Sequence, residues 1–150
     1  MRKTTINIIA LLLIVLFTHA ALIKLLDYST FRHQLMEYPL LSPFAGFIAW
    51  ALPAVELITA VLLIRARTYF AGFTLSLILM TGLSSYIIFL LNSHYDVPCA
   101  CQGLLGFTSW PAQLKFNMIF TLVALAGFLL QLLVREEAKV MRFTPAQERI

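Results

Sequence analysis

The chain has 150 residues, 61% of them apolar and 12% charged, with a formal net charge of +4. At a mean hydropathy of +0.88, too little polar surface is available to cover the apolar bulk in water, and too much apolar surface is present for disorder. A soluble globular domain is excluded, and 11 Lys and Arg residues scattered along the chain are no nucleic-acid footprint.

About 20 apolar residues cross a bilayer, and the sequence supplies four such stretches, at about 6–26, 44–64, 69–91 and 113–134. The first follows Arg2 and Lys3, the opening of a signal peptide, and Thr18-His19-Ala20 loosely resembles a cleavage site. The apolar run continues through Ala21-Leu22-Ile23 to Leu26, so it is expected to be retained as a span. Only Lys24, Glu56 and Lys115 are charged within the four stretches. The expected fold class is therefore all-α: a polytopic membrane protein with a four-helix up-down bundle, one domain over 1–150, and a solvated tail at 135–150.

Between the first two spans, Ser29 or Thr30 is expected to cap a short helix. Phe31, Leu35 and Tyr38 would share its apolar face, and Pro39 and Pro43 would end it. This pattern predicts an amphipathic helix at the outer membrane boundary.

The basic residues set the expected orientation. Arg2, Lys3, Arg65, Arg67, Arg135, Lys139, Arg142 and Arg149 fall on one side, against Lys24, Arg32 and Lys115 on the other. By the positive-inside rule both termini are cytoplasmic, and loops 27–43 and 92–112 face outward.

The second outward loop holds both cysteines, in Val97-Pro98-Cys99-Ala100-Cys101-Gln102-Gly103. Two cysteines are too few for a disulfide framework or a complete four-ligand zinc site. A Cys-x-Cys pair facing an oxidising compartment points first to thiol–disulfide exchange, because so small a ring is strained and readily opened. A structural or incidental pair is the plainer alternative. Metal capture with His94 as a third soft ligand is another, lacking a fourth donor.

Glu56 lies twelve residues into its span, where a carboxylate costs at least ~2.5 kcal/mol on insertion scales. It is either a hydrogen-bonded strut between helices, or a proton acceptor and polar contact for a lipophilic ligand such as a quinone. Pro53, one turn earlier, removes a backbone donor and can kink the helix. Lys24 sits three residues before Asp27 on one helical face, which suits a snorkelling lysine paired with that carboxylate. The alternative is that Lys24 favours the thiolate of a loop cysteine. His19 is expected to hydrogen-bond a neighbouring helix, and Trp110 fits an aromatic belt.

Three segments together resemble a known family. Ala21-Leu22-Ile23-Lys24-Leu25-Leu26-Asp27-Tyr28-Ser29-Thr30-Phe31 is similar to the first-helix signature of the MauE branch of the DoxX-like membrane proteins. Leu52-Pro53-Ala54-Val55-Glu56-Leu57 resembles its Pro-x-x-Glu element, and Cys99-Ala100-Cys101-Gln102-Gly103 with Thr108-Ser109-Trp110 resembles its outer loop. The chain departs from the usual loop at Ala100 and Gln102. The resemblance implies a four-helix bacterial inner-membrane protein that acts with a periplasmic thioredoxin-like partner in maturing a disulfide-rich exported enzyme. Lys24, Pro53, Glu56, Cys99, Cys101 and Gly103 are the matching positions.

The expected function is thus extracytoplasmic thiol–disulfide exchange or electron transfer through Cys99 and Cys101, with Glu56 and Lys24 in support. Membrane oxidases of thiols generally relay through two cysteine pairs. With one pair here, either it meets a redox cofactor such as a quinone directly, or the partner supplies the second pair. A non-catalytic membrane scaffold for a partner complex is the alternative, and a small metal or solute carrier is a thinner one.

Overall fold

The structure is a computed structural model that describes residues 2–37, 40–92 and 110–143. Five α-helices account for nearly all of them: α1 (Arg2–Leu26), α2 (Tyr28–Glu37), α3 (Ala45–Leu62), α4 (Tyr69–Asn92) and α5 (Trp110–Phe143). Short 3-10 turns at Ser42–Phe44 and Ala66–Thr68 lead into α3 and α4.

Four stretches are long and apolar enough to cross a membrane: Arg2–Leu26, Ser42–Leu62, Ala66–Phe89 and Pro111–Val140. The fold is the expected all-α, multi-pass membrane architecture. α5 runs further than the apolar pattern foretold, because its last turns carry charges that solvate or pair, such as Lys139 with Glu136 at 2.8 Å.

The spans follow one another around the bundle. α1 packs on α3 and α5, α4 packs on the same two, and α1 and α4 lie across the diagonal. At one end, Arg2 pairs with Glu137 and the Tyr69 hydroxyl donates to Asn7 Oδ1 at 3.1 Å. This end carries both described termini and the α3–α4 turn, where Thr68 Oγ1 donates to Leu62 O at 2.6 Å. The opposite end, called here the loop end, carries α2 and the points where residues 93–109 attach.

In lipid the helices gain little from hydrophobic association, so close approach over small side chains holds them together. α1 buries Ala10, Leu13, Phe17 and Ala21 at three- and four-residue steps, and α3 buries Ala45, Ala49, Pro53, Glu56 and Ala60 in the same way. The rings of the central core need a gap on α5. A Cβ on Gly127 would lie 2.5 Å from Phe73 Cε1 and 2.9 Å from Ile9 Cγ2, so only glycine admits both side chains at the diagonal. Hydroxyls within the spans find partners on their own helices: Thr59, Ser76 and Ser84 donate to the carbonyls four residues earlier.

The short helix after the first span is present as α2, and its cap differs from expectation. Asp27 Oδ1 accepts from the Thr30 amide at 3.4 Å and from Ser29 Oγ at 3.5 Å. Asp27 is the single residue between α1 and α2, so its carboxylate is the group left at the N-cap position. Phe31 and Leu35 are buried against Ala45 and Ala49 of α3, so the apolar face of α2 is spent on the bundle. Tyr38 lies outside the described residues.

Candidate functional site

The chain places one ionisable side chain on each of two packed apolar seams. On α1, Lys24 continues the buried line of Phe17 and Ala21 at steps of four and three residues. On α3, Glu56 follows Pro53 on the face turned to α1, and it is only 7% exposed. Because α1 and α3 pack along these seams, the two side chains meet. Lys24 Nζ donates to Glu56 Oε1 at 2.5 Å.

The lysine therefore turns into the bundle. The expected pairing with Asp27 does not form, because Asp27 caps α2 while the ammonium has a buried carboxylate in reach. Lys24 also lies 6.0 Å from the centroid of the Phe31 ring, a long cation–π contact. Glu56 Oε2 has no hydrogen-bond partner among the described residues. Half of the carboxylate is thus committed to the lysine and half is open.

Both side chains line a cavity of about 290 Å³ in the loop-end half of the bundle. Phe17, Phe31, Leu52, Met80 and Tyr86 make up much of its otherwise apolar wall. Ile78 and Gly82 of α4 line it as well, and both are exposed on the outside of the bundle. A Cβ on Gly82 would meet nothing within 4 Å. The cavity thus reaches the outer surface of α4 at a point where the helix presents no side chain.

Sequence reasoning singled out Lys24 and Glu56 separately and did not join them. It also missed the aromatic wall and Gly82, since a gap between helices leaves no mark in either helix alone. Gln113 and Asn117, buried one turn apart near the start of α5, were missed too. Two carboxamides four residues apart on an apolar helix were the available signal. Gln113 Oε1 and Asn117 Nδ2 are without partners among the described residues. His19 is exposed on α1. Cys99, Cys101, Gly103 and His94 lie outside the described residues, and no cluster of metal-ligating side chains occurs among those described.

Comparison with protein families matches residues 2–130 to the family described as methylamine utilisation protein MauE. The chain belongs to the MauE family. The matched region takes in α1 to α4, the Cys-x-Cys segment and most of α5, so the Lys24–Glu56 pair and its cavity lie wholly within the MauE region. No curated protein matches the chain, and no solved structure does.

Proposed function

We propose that this MauE-family protein is an inner-membrane component of extracytoplasmic thiol–disulfide exchange, in which Cys99 and Cys101 trade electrons with a soluble thioredoxin-fold partner during the maturation of exported proteins. The observation that carries the reading is the Lys24–Glu56 pair, held in an apolar cavity in the half of the bundle to which segment 93–109 is tethered. An ionisable pair kept within a membrane span marks function by default. Thiol exchange is a proton-handling chemistry, and an open carboxylate oxygen is a proton acceptor. The basic residues gather at the other end, which supports placing the loop end on the extracytoplasmic side, where thiols pair.

In the forward direction a thiolate of the partner attacks one sulfur of the Cys99–Cys101 disulfide and forms a mixed disulfide, and the other cysteine leaves as a thiolate. The partner's second thiolate then displaces the bound cysteine. The partner ends as a disulfide, and Cys99 and Cys101 end as two thiols, with two electrons and two protons transferred. The reverse reaction passes through the same mixed disulfide. Lys24 and Glu56 are positioning and proton-handling residues in this scheme.

Alkylation of cells with a mass-tagged maleimide reads the state of the pair. The wild-type protein is expected to divide between oxidised and reduced forms, and Glu56→Gln to shift that division without loss of membrane insertion. A pair that stays fully reduced in both proteins would contradict exchange and favour a non-catalytic scaffold.

A further inference from the structure

The cavity has a composition that suits one class of ligand, and we propose that it is a binding site for a membrane-dissolved quinone, which reaches it from the lipid past Gly82. Four observations converge. The wall is apolar and aromatic apart from the Lys24–Glu56 pair, so it takes a lipid-soluble molecule with a small polar head. Its volume of about 290 Å³ is near the lower end of ligand pockets, roughly 300–1,000 Å³, enough for a substituted ring whose tail stays outside. Ile78 and Gly82 line the space and are exposed on the flank of a membrane-spanning helix, so the opening lies toward lipid. That same opening is bare at Gly82, with open space where a Cβ would stand.

The fourth observation concerns the head group. The pair offers a donor and an acceptor side by side: Lys24 keeps ammonium protons beyond the one given to Oε1, and the buried Glu56 Oε2 has no partner among the described residues. A quinone carbonyl accepts from the first. A quinol hydroxyl donates to the second. Both oxidation states of one molecule are therefore served, whereas a phospholipid ester can only accept and leaves Oε2 without a donor. Phe17, Phe31 and Tyr86 supply ring faces or edges for the head. The inference rests on the proposed function only for its electron source: two cysteine thiols and one quinone give one disulfide and one quinol, balancing two electrons and two protons.

Binding is testable apart from the thiols, on the Cys99→Ser/Cys101→Ser variant purified in mild detergent and titrated with a short-tailed benzoquinone by quenching of its intrinsic tryptophan fluorescence. Saturable binding at one site per chain is expected, with at least tenfold weaker affinity after Gly82→Phe and an unchanged unfolding temperature. Ile78→Phe, at the same opening, should weaken binding likewise if Gly82→Phe proves unstable. The proposal is overturned if binding does not saturate, if both opening variants bind as tightly as the parent, or if dodecanol or phospholipid displaces the quinone at equal concentration. Since the thiols are absent from the assay, loss of binding overturns this inference alone, and failure of thiol exchange in cells leaves the binding result standing.

Discussion

Lys24 and Glu56 stand 32 residues apart in the sequence and 2.5 Å apart in the structure, joining α1 to α3 inside an apolar cavity. In surroundings of low polarity, attraction within such a pair is strong, and so is the penalty for leaving either charge alone. The pair therefore works as a unit.

Removing one member should be worse than exchanging the two. Lys24→Ala leaves a buried carboxylate without its counter-charge and should cost about 3–5 kcal/mol. The exchange Lys24→Glu with Glu56→Lys should recover most of that loss. Thermal unfolding in detergent reads both. Single variants as stable as the parent would show that the pair contributes nothing to the fold. If Glu56→Gln is fully active while Glu56→Leu misfolds, Glu56 is a hydrogen-bonding strut.

The two glycines at opposite extremes of crowding give a matched pair. Gly127→Ala forces a methyl against the fully buried Phe73 ring, which has nowhere to move, and should lose about 1–3 kcal/mol as overpacked cores do. Gly82→Ala meets open space and should unfold at or slightly above the parental temperature, since alanine favours helix. Equal unfolding temperatures for the two variants would contradict the packing described at the bundle centre.

The number and order of the spans were legible in the sequence because lipid demands long apolar runs, and only three charges interrupt them. The amphipathic helix α2 was legible from Phe31 and Leu35. Its cap was misplaced because Ser29 and Thr30 are good capping residues, and the tightness of the α1–α2 junction, which hands the role to Asp27, is a three-dimensional fact. Lys24 and Glu56 stood out as charges in apolar segments. Their pairing was hidden, since spacing along one helix says nothing of which face of another it meets. The small-residue steps Ala45-Ala49-Pro53-Glu56 and the line Phe17-Ala21-Lys24 were nevertheless a readable sign that both charges lie on seams. A space for a lipophilic ligand beside Glu56 was legible from a carboxylate within an apolar span, whereas its aromatic wall and its opening at Gly82 of α4 were not, because they depend on how the helices pack.

The distribution of basic residues makes a topological prediction. A reporter fused after Ile150 should be active only in its cytoplasmic form, and one inserted at Asn92 only in its extracytoplasmic form. The opposite pattern would place the cysteine segment in the reducing compartment and remove the basis for exchange.

The most direct measurement is capture of the mixed disulfide. Replacing one cysteine removes the resolving sulfur, so the partner should remain attached to the other. In the sequence Cys101 is followed by Gly103 and Gly106 whereas Cys99 follows Pro98, so Cys101 is the sulfur expected to exchange with the partner. Cells carrying Cys99→Ser should show a covalent adduct on a non-reducing gel, dissolved by reductant and containing a thioredoxin-fold protein, and Cys101→Ser should show less of it. No adduct from either variant, together with normal maturation of exported proteins in the double variant, would contradict thiol exchange as the function.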